Sequence, residues 1–362
     1  MVNSEINYDF VVSGDGKWLI TADSWTQQKL YERTGDTIWT LRQTLMGYSV
    51  VTKMSYDGSI IVQDAESTIN FYKRINTEMT LSQSLTLPYK PNSSYGFDLS
   101  TNGSTLAITT NLESGSNNQV EVYSPNTSGQ YVLFQVIQIN PVNPVNDNLG
   151  KRISISSDGL RIAISDPDYL NSSGCVYIYD RSGTTQQFSQ SAILGPLEFS
   201  YGIGYNVVSL SPDGKEVFFD ELTREGTYGN VIDTRRLVKY RQTSNGWEHE
   251  IIFADTASSW ITNFSNLIAF TPDSSMAALY LNISNNGVDT RRTFIFDKDR
   301  NSMSSSSKLS VVETIDYILP YPFNRPWSLY FVEDPSLSTA QYWIIETTYE
   351  TNNKSGIRLL SF

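Results

Sequence analysis

The sequence predicts an all-β fold, a β-propeller of seven four-stranded antiparallel blades, and three observations carry that expectation. A tight-turn signal recurs along the chain at blade-like intervals, short β-type runs flank each turn, and a third run with an aromatic signature follows each pair. Helical periodicity is found nowhere between them.

The turns read Ser13-Gly14-Asp15-Gly16, Ser55-Tyr56-Asp57-Gly58, Ser100-Thr101-Asn102-Gly103, Ser156-Ser157-Asp158-Gly159 and Ser211-Pro212-Asp213-Gly214. A sixth, Thr271-Pro272-Asp273-Ser274, has lost its glycine. Asp-Gly and Asn-Gly between apolar runs are strong hairpin signals, and they predict type I′ turns with φ > 0 at both central residues. From Asp15 the intervals are 42, 45, 56, 55 and 60 residues, the period of a propeller blade lengthened by loops.

Phe10-Val11-Val12 and Trp18-Leu19-Ile20 flank the first turn, and Ile153-Ser154-Ile155 and Arg161 to Ile164 the fourth. The third strands read Lys29-Leu30-Tyr31, Asn70-Phe71-Tyr72, Val120 to Tyr123, Val176 to Tyr179, Leu237 to Tyr240 and Thr293 to Phe296. A fourth strand closes each unit, as in Trp39 to Leu45, Leu81 to Leu87, Val132 to Ile139 and Trp247 to Phe253. The seventh unit is the most worn: its third strand, Ile357 to Leu360, is followed only by Ser361 and Phe362. Residues 2–6 are therefore expected to supply its outer strand and close the ring, removing a strand edge. The whole of 1–362 is one domain, with blades at 8–45, 48–87, 95–139, 149–194, 205–253, 264–315, and 327–362 with 2–6.

Composition narrows the function. A net charge of −12 argues against nucleic acid, whose phosphates are held by clustered Lys and Arg. No apolar stretch approaches the roughly 20 residues that span a bilayer. Residues 1–7 have neither the basic nor the apolar region of a signal peptide, and the one cysteine, Cys175, forms no internal disulfide. An intracellular, cytoplasmic setting is expected. The Asn-, Ile- and Tyr-rich composition also suits an AT-rich genome such as that of a large DNA virus, which admits a virion component.

Tyr95 to Ser100 with Asn102-Gly103 and Leu106-Ala107-Ile108 resembles an FG-GAP repeat. So does Leu149-Gly150 through Ile155 with Asp158-Gly159 and Gly174 to Tyr179. Ser211-Pro212-Asp213-Gly214-Lys215 equally resembles WD40-like repeats. These resemblances imply propellers used mostly for recognition. Calcium-binding FG-GAP repeats carry alternating acidic residues in the first turn; here each turn has a single Asp or Asn, so no metal and no cofactor is expected.

His249, the one histidine, falls in the outer strand Trp247 to Phe253, away from any cleft that could hold a triad or a histidine-ligated metal. Cys175 opens an inner strand and reads as a packed small residue. No catalytic residue is assigned, and the chain reads as a non-enzyme. Variable loops gather on one face: Asn140 to Leu149, Asp220 to Thr234, Asp255 to Phe264, Asn282 to Thr290 and Asp316 to Trp327. A rigid ring with variable loops on one face suits a binding surface.

Two residue classes recur there. Aromatics begin the first strands, among them Tyr48, Tyr95, Tyr205 and Trp327, and Trp260 stands in a preceding loop. They serve either as wedges between blades or as stacking surfaces around the central mouth. Acidic or amide residues end the second strands, including Asp23, Asp64, Asp166 and Asp220, and these either form turns or line an acidic funnel for a basic partner. A duplicated Asp-Thr-Arg-Arg, at 233–236 and 289–292, is expected to bridge to carboxylates of a neighbouring blade. The leading expectation is a non-enzymatic scaffold that presents Trp260, Trp327, Tyr48, Tyr95, Tyr205 and the four aspartates to a protein partner. A carbohydrate-binding propeller is the second reading, with Trp25, Trp260 and Trp327 stacking on a glycan. A carboxylate-dependent hydrolase is the third.

Overall fold

The structure is a computed structural model and describes residues 10–24, 27–35, 38–46, 51–65, 68–87, 96–112, 116–138, 149–195, 200–227, 230–256, 259–263, 268–285, 288–297, 311–318, 329–333, 342–350 and 354–361. Its strands form antiparallel sheets in chain order. The first holds β1 (Phe10–Val12), β2 (Trp18–Ser24), β3 (Gln27–Arg33) and β4 (Trp39–Met46). In the second are β5 (Val51–Met54), β6 (Ile60–Asp64), β7 (Thr68–Ile75) and β8 (Glu78–Thr86). The third comprises β9 (Phe97–Leu99), β10 (Leu106–Leu112), β11 (Ser116–Pro125) and β12 (Tyr131–Gln138). The fourth comprises β13 (Ile153–Ile155), β14 (Arg161–Asp166), β15 (Cys175–Asp180) and β16 (Ser189–Leu194), with the short helix α1 (Tyr169–Ser172) between its middle strands.

Two sheets are five-stranded. The fifth consists of β17 (Ser200–Tyr201), β18 (Val208–Leu210), β19 (Glu216–Thr227), β20 (Asn230–Thr243) and β21 (Gly246–Thr256). The sixth consists of β22 (Ser259–Asn263), β23 (Ile268–Phe270), β24 (Met276–Asn285), β25 (Val288–Asp297) and β26 (Val311–Ile318). A last sheet has three described strands, β27 (Leu329–Glu333), β28 (Tyr342–Glu350) and β29 (Lys354–Ser361). First strands lie against first strands: β1 on β5, β5 on β9, β9 on β13, β13 on β18, and β27 on both β23 and β1. This is a β-propeller. The expected outer strand at residues 2–6 lies outside the described residues.

The second strands are almost continuously apolar because neighbouring sheets cover both of their faces. Ile162 and Ile164 join a core with Val120, Val122 and Ile137 of the preceding blade, while Ala163 joins one with Val217 and Phe219 of the next. Pleating sends alternate residues of β14 to opposite neighbours, so neither face can be polar.

The turn signal proves right in place and wrong in type. Gly16 donates its N–H to Ser13 O at 2.9 Å, and the same bond recurs at Gly58, Gly103, Gly159, Gly214 and Ser274. Only that fourth residue is left-handed, at φ 67° for Gly16 and 61° for Ser274; the aspartates are not. Side chains set this geometry. Ser13 Oγ accepts the Trp18 N–H at 2.9 Å and donates to Asp15 Oδ1 at 2.6 Å, and Asp15 Oδ1 also accepts the Lys17 N–H. The serine closes the loop and the aspartate orients the serine, which a bare type I′ dipeptide would not need.

Adjacent turns are stitched together. Asp15 N–H donates to Tyr56 O, Tyr56 N–H to Thr101 O, Asn102 N–H to Ser157 O and Ser157 N–H to Pro212 O. Pro212 has no N–H to continue the series, and Asp213 N–H donates instead to Ser274 Oγ at 3.1 Å. Nearer the rim, Gln43, Gln83 and Gln135 bridge consecutive blades.

Candidate functional site on the loop-rich face

The ends of second strands, the starts of first strands and the hairpins between second and third strands share one face. Two of its expected loops are strands. Residues 220–227 and 230–234 continue β19 and β20, paired from Glu221↔Arg236 to Thr227↔Asn230, and 282–285 and 288–290 continue β24 and β25. The Asp255 to Phe264 segment is likewise mostly β21 and β22. Blades 5 and 6 therefore carry long hairpins, each flanked on the inner side by an extra strand, β17 or β22. The paired arginines sit within these hairpins. Register places Arg235 opposite Asp255 and Arg292 opposite Asp316 within their own sheets.

Asp64, Asp166 and Asp220 do not form one ring. Asp64 and Asp220 stand nine residues after their turn serines, Ser55 and Ser211, whereas Asp166 stands ten after Ser156. On a pleated strand that single residue reverses the face. Asp64, Asp166 and Asp220 are all buried, so they line no open funnel; the side chain of Asp23 lies outside the described residues.

Asp220 is a structural acceptor. Its carboxylate receives the N–H of Asn206 at 3.0 Å and of Val207 at 2.9 Å, and Asn206 Nδ2 at 2.6 Å. Burial pushes its pKa up, against those three hydrogen-bond donors and the positive charge of Arg152. Arg152 is itself half-buried, its desolvation pulls its pKa down, and its Nε donates to Asn206 O at 2.8 Å. Ser165, at the matching position of β14, does the same work as Asp220, its Oγ accepting Arg152 N–H at 2.9 Å. Gly204 passes so close to blade 4 that a Cβ there would stand 2.8 Å from Ser165 Cβ.

This framework fixes the loop that carries Tyr205. Gly204 N–H donates to Asp220 O at 2.8 Å and Tyr205 N–H to Gly202 O at 3.1 Å. Tyr205 is 47% exposed, and Lys151 Nζ lies 3.1 Å from its ring centre on one side. Of the sequence-predicted aromatics, Tyr205 alone has a described side chain. Tyr48, Tyr95 and Trp327 lie outside the described residues, and Trp260 is placed by its backbone in β22, opposite Ser284, rather than in a loop. Sequence reasoning passed over the tandem cations Lys151 and Arg152, although two basic residues entering a first strand of an acidic chain were a readable signal.

Asp166 ends β14 opposite Cys175, which is fully buried, and burial pushes that thiol up. His249 lies exposed on β21, its ring 5.6 Å from that of Tyr240. Among the described residues no group of three His, Cys, Asp or Glu is placed to hold a metal, and no helix is long and apolar enough to cross a membrane.

Family models give no match to this chain. Curated proteins give none either. The fold does match solved structures. The Cps50 (Swd1) β-propeller domain of Myceliophteria thermophila aligns with a TM-score of 0.58 at 11% identity, covering 99% of this chain and 98% of that one. A functionally unknown protein from Desulfotomaculum acetoxidans aligns with a TM-score of 0.51 at 13% identity, over 84% and 86% of the two chains. At such identities the likeness is one of fold.

Proposed function

We propose that this chain is a non-enzymatic scaffold, a closed seven-bladed propeller whose loop-rich face binds a protein partner. The observation that carries the reading is Tyr205: an aromatic side chain held half-exposed on a loop whose backbone is fixed by buried Asp220 and half-buried Asn206 and Arg152. Aromatic groups on pre-ordered loops recur as binding anchors because they bury much area for little lost side-chain entropy. Trp260, Trp327, Tyr48 and Tyr95 belong to the same proposed surface. The chain's net charge of −12 favours a partner with basic patches, acting on approach rather than at Tyr205, where Lys151 already occupies one ring face. The ring closes through residues 2–6, and the setting is intracellular.

The test is a pull-down from the native source followed by cross-link mapping of the partner's footprint. A footprint around Tyr205 that weakens by about 1–3 kcal/mol in Tyr205→Ala, with the fold intact, supports the reading. A footprint on the tight-turn face overturns it.

A further inference from the structure

The chain holds three Asn-Gly pairs, Asn102-Gly103, Asn245-Gly246 and Asn286-Gly287, of which the last lies outside the described residues. The backbone nitrogen of a glycine can approach the amide carbon of the asparagine before it, since the glycine carries no side chain to obstruct the way. Asn102 and Asn245 both stand exposed in hairpin turns, yet their amides are held differently. Asn102 is braced. Its Oδ1 accepts Ser100 Oγ–H at 2.8 Å and Ser104 N–H at 2.9 Å, and its Nδ2 donates to Asp158 O of the next blade at 2.9 Å. Gly103 is buried, and its N–H donates to Ser100 O at 2.8 Å.

The turn between β20 and β21 is held by its threonine instead. Thr243 Oγ1 accepts the Asn245 N–H at 3.2 Å and donates to Gly246 O at 3.1 Å. The side-chain amide of Asn245 takes no part in this, and among the described residues it has no partner. A Cβ on Gly246 would meet no atom within 4 Å, so the approach to the amide is open as well.

We propose that Asn245 is a site of self-modification, converting to isoaspartate and aspartate in the folded protein while Asn102 is spared. Gly246 N gives up its proton to hydroxide and bonds to Asn245 Cγ. The Cγ–Nδ2 bond then breaks, and Nδ2 takes a proton from water and leaves as ammonia. Water opens the resulting five-membered imide. Cleavage between Gly246 N and the main-chain carbonyl carbon of Asn245 yields isoaspartate, and cleavage of the new bond to Cγ yields aspartate. Either product replaces an amide by a carboxylate and adds one negative charge.

Isoaspartate lengthens the main chain by one methylene in a turn whose next pair is Gln242↔Trp247. Both of those residues hold Arg161 of the preceding blade. Gln242 Oε1 accepts its Nη1–H at 2.8 Å, and its guanidinium lies 5.2 Å from the centre of the Trp247 ring. The modification thus loosens a seam between blades 4 and 5. It also sets a carboxylate in the turn whose Thr243 Oγ1 lies 3.3 Å from Glu248 Oε1, a charge of the same sign.

The test uses the intact chain and needs no partner, so its outcome is separate from that of the binding proposal. The protein is aged in mildly alkaline buffer, with and without urea, and mapped by mass spectrometry after chymotryptic digestion. Electron-transfer fragmentation tells isoaspartate from aspartate. In the folded chain Asn245 is expected to convert about tenfold to a hundredfold faster than Asn102, whose three hydrogen bonds must break before its amide can be attacked. In urea, where both turns are lost, the two rates are expected to converge. Equal rates in the folded chain, absence of conversion at Asn245, or a difference that persists in urea overturns the proposal.

Discussion

Gln43 treats the backbone of Met79 as a neighbouring strand would: its Nε2 donates to Met79 O at 2.9 Å and its Oε1 accepts Met79 N–H at 2.6 Å. Gln83 repeats the arrangement on Tyr131, at 2.7 and 2.8 Å, and Gln135 on Phe188, at 2.9 and 2.7 Å. Each glutamine lies beside a bulge in its fourth strand, where the register slips at Leu30/Tyr31, Phe71/Tyr72 and Val122/Tyr123. The bulge twists the outer strand and turns one amide toward the next blade. At the matching bulge of blade 4 the residue is Ala192, and there the blades are joined elsewhere, by Arg161 Nη1 on Gly214 O at 2.7 Å.

Removing one such amide strands two backbone groups. Gln83→Ala is expected to lower stability by about 1–3 kcal/mol, since the N–H and C=O of Tyr131 lose their partners in a part-buried seam. Gln83→Glu should fall between, because it keeps the acceptor and loses the donor. Urea unfolding monitored by far-UV circular dichroism measures both. Equal stability of Gln83→Ala and the native chain would show that water replaces the amide at no cost.

The fourth turn position makes a paired prediction. Gly58 has φ 66°, and a Cβ there would stand 2.7 Å from Trp18 Cδ1, so Gly58→Ala should cost more than the roughly 1–2 kcal/mol of the left-handed conformation alone. Ser274 already bears that cost, yet its Oγ receives the Asp213 N–H. Ser274→Gly relieves the backbone and loses the bond, and the two terms are each about 1 kcal/mol. A net change within about 1 kcal/mol is expected by thermal unfolding. A gain well beyond that would mean the Asp213 bond contributes nothing.

What the sequence made legible follows how local the chemistry is. The Ser-x-Asp-Gly turns were found because serine, aspartate and glycine act within six residues of one another, although their side chains select a different turn from the one the Asp-Gly dipeptide suggests. Gln43, Gln83 and Gln135 went unread because a bulge invisible in composition decides where each points. Asp64, Asp166 and Asp220 read as one acidic set because each ends a second strand, and a one-residue offset sends Asp166 to the opposite face. The hairpin from Glu221 to Asp233 reads as a loop because its alternation is polar on both faces. It becomes strand because β20 pairs with residues 221–227 and β17 pairs with Leu222 and Thr223.

Asp220 is expected to be the costliest of these aspartates to truncate. Asp220→Ala leaves the N–H groups of Asn206 and Val207 without their acceptor and removes the carboxylate whose charge favours the Arg152 guanidinium. Breaking a buried charged network in this way typically costs about 3–5 kcal/mol. Asp220→Asn keeps an acceptor and should cost less. A loss under about 1 kcal/mol in Asp220→Ala would show that the 202–207 loop is held by its backbone bonds alone.

Closure of the ring gives the last prediction. In the seventh sheet β29 is the outermost described strand, paired to β28 from Trp343↔Ser361 to Glu350↔Lys354, and β27 already lies against β1. An outer strand drawn from residues 2–6 would cover the remaining edge of β29 and tie the chain's two ends into one sheet. Unpaired edges recruit other chains, so deleting residues 2–6 should both loosen the ring and promote association. The expected result is a lower melting temperature together with concentration-dependent light scattering, and recovery of both when a synthetic peptide of residues 1–7 is added in excess. An unchanged melting temperature after the deletion would mean that contact between β27 and β1 holds the ring without a strand from the amino terminus.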